Sequence, residues 1–295
     1  MKYSSKKFNI QYQADFSGPP VNEIRAWFAE PQDSNLQRIE SFSISPKPKS
    51  SYKDSQGNKI LYFEINNQKQ ASVKVNIKAN LSKYKLDLAK AEFSTQRNIK
   101  SEEFLEQTPG VKDLARKLTA SQDNMVNKIG SIFNFVVQNF KYEYPVKHRG
   151  VSHLDLKKLR GDCAEYSSLF VAMCRSLGIP SRNNTGFVIY PKQQNMVEHG
   201  WASIDTKKHG WLDFDTQYAS IDEKSKYFGQ RSDYRITFTD GFNIPLKPSI
   251  PNDFDIEYWN NEGLPMMRNS VQTLQPLVFA AKREVKFNSR IGLLR

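Results

Sequence analysis

The sequence predicts an α+β protein in which an N-terminal antiparallel β domain precedes a core of helices packed on an antiparallel sheet. Three observations support this class: short alternating segments up to about residue 105, apolar stripes at helical spacing after it, and renewed alternation beyond the second cysteine. We therefore expect a β-sandwich-like domain at residues 1–105, the core at residues 106–250, and a C-terminal extension packed on the core at residues 251–295.

The N-terminal region reads as a series of strands. Residues 73–79 alternate cleanly between apolar and polar side chains, and residues 7–16 and 23–28 show mixed alternation. A turn at Gln56-Gly57-Asn58 precedes another apolar segment, residues 60–65. Short strands with connections rich in Pro, Ser and Asn are typical of an antiparallel sheet or sandwich.

From about residue 101 the apolar spacing changes to that of helices. A short stripe covers residues 111–118, and a longer one covers residues 125–140. The longer stripe predicts core packing and consists of Met125, Ile129, Ile132, Phe133, Val136 and Val137. Further on, Asp240-Gly241 predicts a hairpin between residues 234–239 and 242–246, and residues 284–287 form one short strand candidate.

Cys163 lies where a reactive thiol is expected. Asp162 is a good helix N-cap, and Glu165 three positions later completes a variant of the capping box. The apolar helix that follows has Gly178 as a left-handed stop. Cys163 therefore falls in the first helical turn, where free N–H groups and the helix dipole favour a thiolate.

Cys174 is expected to be core packing. It lies eleven residues along the same helix, so its Cα atom is about 16 Å from that of Cys163. A disulfide needs Cα atoms within roughly 7 Å, so the two cannot pair within one chain. Ile179, just after the stop, should pack near Cys174.

His199 and Asp215 are the expected base and orienting carboxylate. Residues 197–204 and 211–215 alternate as two strands of a hairpin, and a turn centred on Lys207 would place His199 opposite Asp215. Asp213 is the rival carboxylate, since it shares a face with Asp215 but would then oppose Trp201. The remaining histidines lie in polar loops and are weaker candidates; they are His148, His153 and His209.

These motifs resemble those of the transglutaminase-like superfamily, whose catalytic core is papain-like. The resemblance covers residues 129–246 and rests on Gly161-Asp162-Cys163, Leu177-Gly178-Ile179-Pro180-Ser181-Arg182, His199-Gly200-Trp201, and Trp211 through Asp215. It implies that Cys163, His199 and Asp215 form a catalytic triad and that residues 106–250 are the catalytic domain. Two positions depart from the family pattern: Thr216, where many members carry Pro, and Asn183-Asn184, where the strand is usually apolar.

The resemblance implies acyl transfer on an amide through a thioester on Cys163, with the backbone N–H of Cys163 as one oxyanion donor. Asn139 and Tyr142 are alternatives for the second donor. Hydrolysis, as a cysteine peptidase or amidase acting on a peptide or protein, is favoured. Transamidation, as in a protein-glutamine gamma-glutamyltransferase, and a non-catalytic binding module remain alternatives. No metal, nucleotide or organic cofactor is implied.

Composition excludes several other classes. The net charge of +12 is spread along the chain rather than gathered in a stripe, so we expect no nucleic-acid partner. The first residues lack the apolar core of a secretory signal, and no run approaches the length of a membrane span. Two cysteines that cannot pair fit a reducing compartment, so a cytoplasmic location is expected.

Overall fold

The computed structural model describes residues 2–19, 23–66, 68–85, 88, 91–94, 99–144, 146, 148–242, 244–250, 270–271, 277–282 and 285–294. The chain divides into two compact units, each built from separate segments of the sequence. We call Met1–Ser4, Lys83–Asn184 and His199–Ser232 the helical unit. We call Ser5–Ser82, Thr185–Glu198 and Asp233–Arg295 the β unit. The domain limits expected at residues 105 and 250 stay a prediction.

Strands dominate the described chain, and three helices occupy its middle. Before the first helix come β1 (Lys2–Ser17), β2 (Glu23–Glu30), β3 (Gln37–Ser45), β4 (Ser50–Lys53), β5 (Lys59–Asn66) and β6 (Gln70–Lys85). The middle holds α1 (Pro109–Thr119), α2 (Met125–Asn139), β7 (Lys141–Tyr142), β8 (Arg160–Gly161) and α3 (Cys163–Ser176). The remaining strands are β9 (Ser181–Tyr190), β10 (Asn195–Thr206), β11 (Gly210–Phe214), β12 (Gln230–Arg231), β13 (Arg235–Asp240), β14 (Ile244–Pro245), β15 (Ser270–Val271), β16 (Leu277–Ala281) and β17 (Lys286–Leu293). The predicted α+β class is confirmed.

The β unit has two antiparallel sheets around one hydrophobic core. In the smaller sheet the strand order is β16-β2-β5-β4. The larger sheet includes the antiparallel pairs β3·β6 and β1·β17. Aromatic rings of β1 contact the smaller sheet: Tyr12 lies 5.6 Å from Phe28, and Phe16 meets Phe279 edge to face at 5.1 Å. Contacts of this kind are those of a sandwich, in which the inner faces of two sheets share a core.

The hairpin predicted around Asp240-Gly241 is wrong, although its turn residue behaves as expected. Gly241 has a positive φ of 81°, which favours glycine. Among the described residues, however, β14 pairs with β15 rather than with β13, while Ile189 N on β9 donates to Tyr234 O just before β13. The turn is therefore local, whereas the partner strand comes from a distant segment. The predicted strand at residues 284–287 overlaps β17, and its first residue lies outside the described residues.

The helical unit is held by an aromatic cluster between helices and strand. Five of the six residues in the predicted stripe of α2 are buried, namely Ile129, Ile132, Phe133, Val136 and Val137, whereas Met125 is only partly buried. Phe133 meets Phe170 of α3 edge to face at 6.0 Å, and Phe170 stacks on Phe214 of β11 at 5.7 Å. Such aromatic pairs contribute about 0.5–1.5 kcal/mol each beyond burial. Because Phe214 immediately precedes Asp215, this cluster also fixes the backbone that presents that carboxylate.

The asparagine pair in β9 is buried, and the side-chain N–H groups of both residues have acceptors. Asn183 Nδ2 donates to Ser168 Oγ of α3 at 3.0 Å. Asn184 Nδ2 donates to Ser203 Oγ of β10 at 2.6 Å. Buried amides cost free energy unless they are hydrogen-bonded. Asn183 and Asn184, which replace apolar residues of the family pattern, thus face serine hydroxyl groups on the neighbouring α3 and β10.

Candidate active site

Cys163 is the first residue of α3, as the sequence predicted. Ala164 N donates to Asp162 Oδ1 at 2.8 Å, and Asp162 N donates to Glu165 Oε2 at 3.4 Å, which completes the capping box. The first N–H groups of a helix have no intrahelical acceptor, so they point to the space in front of the helix. Cys163 is buried, with 6% of its surface exposed.

The other end of α3 closes with a Schellman motif. Gly178 has a φ of +75°, its N–H donates to Arg175 O, and Ile179 N donates to Cys174 O at 3.0 Å. Cys174 is fully buried beside this stop, and burial raises the pKa of its thiol. The predictions of a left-handed stop at Gly178 and of a buried Cys174 are both confirmed.

His199 and Asp215 are hydrogen-bonded to each other. The distance from His199 Nε2 to Asp215 Oδ2 is 2.7 Å, and both side chains are buried. The other carboxylate oxygen, Oδ1, accepts from Tyr218 N at 3.0 Å. The Tyr218 ring stacks on the imidazole at 4.3 Å with an angle of 15° between the planes. The imidazole is thus held at one edge by a carboxylate and on one face by an aromatic ring.

The hairpin that carries these two residues has a different register from the predicted one. Ser203 pairs with Asp213 and Thr206 with Gly210, so the turn is centred on Lys208 rather than Lys207. Gly210 has a φ of +67°, which suits a three-residue loop ending in a left-handed residue. Asp215 lies just beyond β11 and approaches His199 diagonally rather than directly across the hairpin. The side chains stay on the predicted face of the hairpin, because the shift changes the residue opposite each position by two.

The rival carboxylate is engaged elsewhere. Arg231 Nη1 donates to Asp213 Oδ2 at 3.1 Å, and both side chains are buried. Arg231 belongs to β12, which pairs with the end of β6. Asp213 therefore serves a buried ion pair, whereas Asp215 serves the imidazole.

Strand β10 approaches the thiol at the residue after His199. The backbone of Gly200 lies close to the Cys163 sulfur, and its N–H acts to lower the pKa of the thiol. Burial has the larger effect and, together with the charge of Asp162, raises the pKa of Cys163 well above its usual value. The thiolate predicted from the helix position is thus disfavoured in the resting protein. The contact between the Cys163 sulfur and a ring nitrogen of His199, which the triad requires, stays a prediction.

Iodoacetamide should label Cys163 faster than Cys174 in the folded protein, and the rate should keep rising beyond about pH 9. Because the pKa of Cys163 is raised, the reactive thiolate is a minor species at neutral pH and grows about tenfold per pH unit until that pKa is reached. Peptide mapping by mass spectrometry over a pH series measures both rates. A plateau below pH 9, or preferential labelling of Cys174, would contradict this.

Arg149 is a site residue that sequence reasoning missed. Its guanidinium donates to Asp162 and Glu165, the two carboxylates of the capping box. Burial and the neighbouring Asp162 raise the pKa of Glu165 to about 8. Burial would also raise the pKa of Asp162, but Arg149 lowers it overall. A basic residue in a polar loop carries no spacing pattern, so only the folded chain shows this contact.

Tyr142 lies near the thiol, whereas Asn139 does not supply a free amide. Strand β7 pairs in parallel with β8, so Tyr142 lies beside Gly161, and Glu143 N donates to Gly161 O at 3.0 Å. Burial and the neighbouring Cys163 raise the pKa of Tyr142 to about 12, although the residue is 52% exposed. Asn139 Nδ2 donates to Phe135 O at 2.8 Å, within its own helix. Tyr142 is therefore the better placed of the two predicted oxyanion donors.

Gly161 has no room for a side chain. A Cβ atom at this position would overlap Cβ and Cγ of Glu165. Gly161→Ala should therefore displace the start of α3 and destabilise the fold by about 1–3 kcal/mol. Gly130→Ala in α2 is the matched control: the nearest atom to its Cβ, Phe228 Cζ, is 3.7 Å away. There, alanine should stabilise the helix by about 0.5–1 kcal/mol. Urea unfolding measures both changes, and equal stabilities of the two variants would contradict this.

The weaker histidine candidates lie apart from this geometry. His148 and His153 are exposed and pack against each other with ring centroids 5.4 Å apart. His209 lies in the hairpin turn, where its backbone N–H donates to Thr206 Oγ1.

Within the described residues, no group of three or more His, Cys, Asp or Glu side chains is placed to hold a metal ion. In that same part of the chain, no helix is long and apolar enough to cross a membrane.

The chain resembles one protein family in sequence and several solved structures in fold. Residues 112–216 match the sequence profile of the transglutaminase-like superfamily. No functionally curated protein shows significant similarity. A candidate cysteine protease from Cytophaga hutchinsonii has a similar fold, with a TM-score of 0.60 and 11% identity over 100% of this chain and 93% of that one. The periplasmic domain of TgpA from Pseudomonas aeruginosa gives a TM-score of 0.41 and 14% identity, covering 74% and 90% of the two chains.

The segment matched by the profile contains the whole arrangement described above. It begins in α1 and ends just after Asp215, so Cys163, His199 and Asp215 all lie within it. The solved structure with the TM-score of 0.60 shares the α+β fold over the full length of this chain. Residues 112–216, which carry this arrangement, thus resemble the transglutaminase-like superfamily in sequence.

Proposed function

We propose that this protein is a cysteine peptidase or amidase that cleaves amide bonds through a thioester on Cys163. The observation that carries the proposal is the 2.7 Å hydrogen bond between His199 Nε2 and Asp215 Oδ2. It leaves Nδ1 as the ring nitrogen available to the thiol. Nucleophile, base and orienting carboxylate are the parts that thiol acyl transfer needs, on whatever fold they occur.

In the proposed reaction, the Cys163 thiol starts in its neutral form. His199 Nδ1 takes the thiol proton as the sulfur attacks the carbonyl carbon of the amide. The resulting imidazolium is stabilised by the Asp215 carboxylate, and it protonates the leaving amine as the thioester forms. Water, activated by the neutral imidazole, then hydrolyses the thioester and restores the thiol. The Gly200 N–H lies beside the sulfur, where it favours developing negative charge.

The oxyanion of the tetrahedral intermediate needs at least one further donor. The backbone N–H of Cys163 is the first, since it stands at the start of α3. We assign the second donor to the Tyr142 hydroxyl, which lies near Cys163 and is half-exposed. The raised pKa of this phenol keeps it protonated, as a hydrogen-bond donor must be.

Hydrolysis and transamidation pass through the same thioester and differ in the second nucleophile. The test incubates the purified protein with peptide libraries, with and without a primary amine such as monodansylcadaverine, and identifies products by mass spectrometry. Shortened peptides or free acids in both reactions support hydrolysis. Amine adducts without cleavage would instead assign a cross-linking transferase. If wild type and Cys163→Ala give the same absence of products, the binding-module alternative is favoured.

A further inference from the structure

We propose that Arg149 is a positioning residue that locks the start of α3 and thereby sets the location and electrostatic environment of Cys163. The inference deepens the proposed function, because it concerns the residue that would carry the thioester. It rests on a cluster of three ionisable side chains beside the thiol: Arg149, Asp162 and Glu165.

The guanidinium of Arg149 makes a two-pronged contact with the N-cap of α3. Nη1 donates to Asp162 Oδ1 at 3.0 Å, and Nη2 donates to Asp162 Oδ2 at 2.7 Å. Nη1 also donates to Glu165 Oε2 at 2.8 Å. The carboxylate side chains are 1% and 2% exposed, and the arginine side chain is 17% exposed. Bidentate contacts of this kind fix direction as well as distance.

The same two carboxylates cap the helix that begins with Cys163. Asp162 Oδ1 accepts from Ala164 N, and Glu165 Oε2 accepts from Asp162 N. Arg149 therefore touches both halves of the capping box without touching the helix backbone. Two buried carboxylates so close together repel each other unless a cation or a proton is shared between them. Loss of Arg149 would leave the capping box with uncompensated charge.

The backbone around Arg149 is itself anchored. Gly150 has a φ of +103°, and a Cβ there would press on Phe104 and the Glu106 carboxylate. Glu106 Oε1 accepts from Phe104 N at 2.9 Å, and Oε2 accepts from Ser152 N at 3.1 Å. Glu106 thus ties the residues that follow Arg149 to the segment that precedes α1. The arginine is presented from a tethered loop, as a positioning residue requires.

The charges that face Cys163 come from three parts of the helical unit. Asp162 at the helix cap and Asp215 beyond β11 raise the pKa of the thiol, after the larger effect of burial. Arg149 from the loop and the Gly200 N–H from β10 lower it. Tyr142 from β7 also lies within electrostatic reach, and it is neutral. Arg149 is the cation in this set, so its removal should make the thiolate less stable.

The test measures the second-order rate of Cys163 alkylation by iodoacetamide from pH 6 to 11, together with thermal melting, on the full chain. Arg149→Met should move the alkylation profile to higher pH and so slow the reaction at pH 8, because a cation that favours the thiolate has been removed. Arg149→Lys keeps the charge but loses the fork, so its profile should lie between wild type and Arg149→Met.

Arg160→Met is the matched control. Arg160 is also close to α3 in sequence, but it pairs with the exposed Glu143 at 3.0 Å. Its alkylation profile should equal that of wild type. A purely structural arginine would lower the melting temperature of Arg149→Met and leave its profile unchanged, and that result would overturn the proposal. If Arg149→Met fails to fold, Arg149→Lys decides: a wild-type profile there overturns the proposal, and a shifted one supports it.

These readouts do not depend on turnover. If peptide products never form but the alkylation profiles shift as stated, the proposed function fails while the assignment of Arg149 stands. If products form and the profiles coincide, the assignment of Arg149 fails alone.

Discussion

Replacement of Cys163 with alanine is expected to abolish acyl-enzyme formation, and His199→Ala should come close to the same loss. The thiol is the proposed acyl acceptor, so no thioester can form without it. Because burial holds this thiol in its neutral form, it depends on a base for deprotonation at neutral pH. We would follow acylation with p-nitrophenyl acetate as the acyl donor, by intact-mass spectrometry and nitrophenol release.

Cys174→Ala is the matched control for the thiol. Both cysteines lie on α3, but Cys174 is fully buried at the far end of the helix. Acylation should therefore persist in Cys174→Ala, with no more than a modest loss of stability. Acylation of Cys163→Ala equal to that of wild type would rule out the mechanism. Loss of acylation in Cys174→Ala with an unchanged melting curve would show that the chemistry belongs to Cys174 rather than to Cys163.

Asp215→Ala and Asp213→Ala should fail in opposite ways. Asp215 holds the imidazole, so its loss should slow acylation by up to about 10⁴-fold. Asp213 is ion-paired with the buried Arg231, so its loss should destabilise the fold by about 3–5 kcal/mol because it removes one partner of a buried ion pair. Rates per folded molecule separate the two effects when combined with urea unfolding.

The comparison between these two carboxylates has a defined failing outcome. If Asp213→Ala cripples acylation at full folding while Asp215→Ala acylates normally, the orienting residue has been misassigned. If both variants lose the same stability and both acylate at the wild-type rate per folded molecule, Asp215 has no part in the mechanism.

Local signals in the sequence predicted the ends of α3 well. The capping box at Asp162 and Glu165, and the left-handed stop at Gly178, involve residues that lie within a few positions of each other. Such motifs are set by backbone hydrogen bonding within one or two turns, and tertiary context changes them little. The same reasoning explains why the buried stripe of α2 was predicted correctly.

The hairpin register could not be read with the same accuracy. Alternation fixes which face a side chain occupies. It does not fix the centre of the turn, because moving that centre by one residue changes each cross-strand partner by two and leaves every side chain on the same face. The left-handed Gly210 places the turn at Lys208, and this moves the residue opposite Asp213 from Trp201 to Ser203. The contact between His199 and Asp215 survives because the imidazole can be reached diagonally.

Long-range charge pairs were beyond sequence reasoning. Arg149 and Arg231 find their carboxylates only after the chain has folded, and neither stands at a spacing that marks it. The pairing of β14 with β15 is of the same kind, since it joins segments about 26 residues apart, which is too far for a single local turn to specify. Local sequence predicts where helices and strands form, whereas tertiary structure determines which strands and which charged side chains pair.

The pairing of β1 with β17 has a consequence for biosynthesis. Ile10 lies opposite Leu293, and Ser17 lies opposite Lys286, so the first strand pairs with the last one described. A ribosome adds about 5–20 residues per second, so β1 emerges on the order of tens of seconds before its partner strand exists. During that interval the nascent strand has an unpaired edge, which is a template for association with other chains. Chaperone binding to the emerging β1 would therefore protect this protein until β17 has been synthesised.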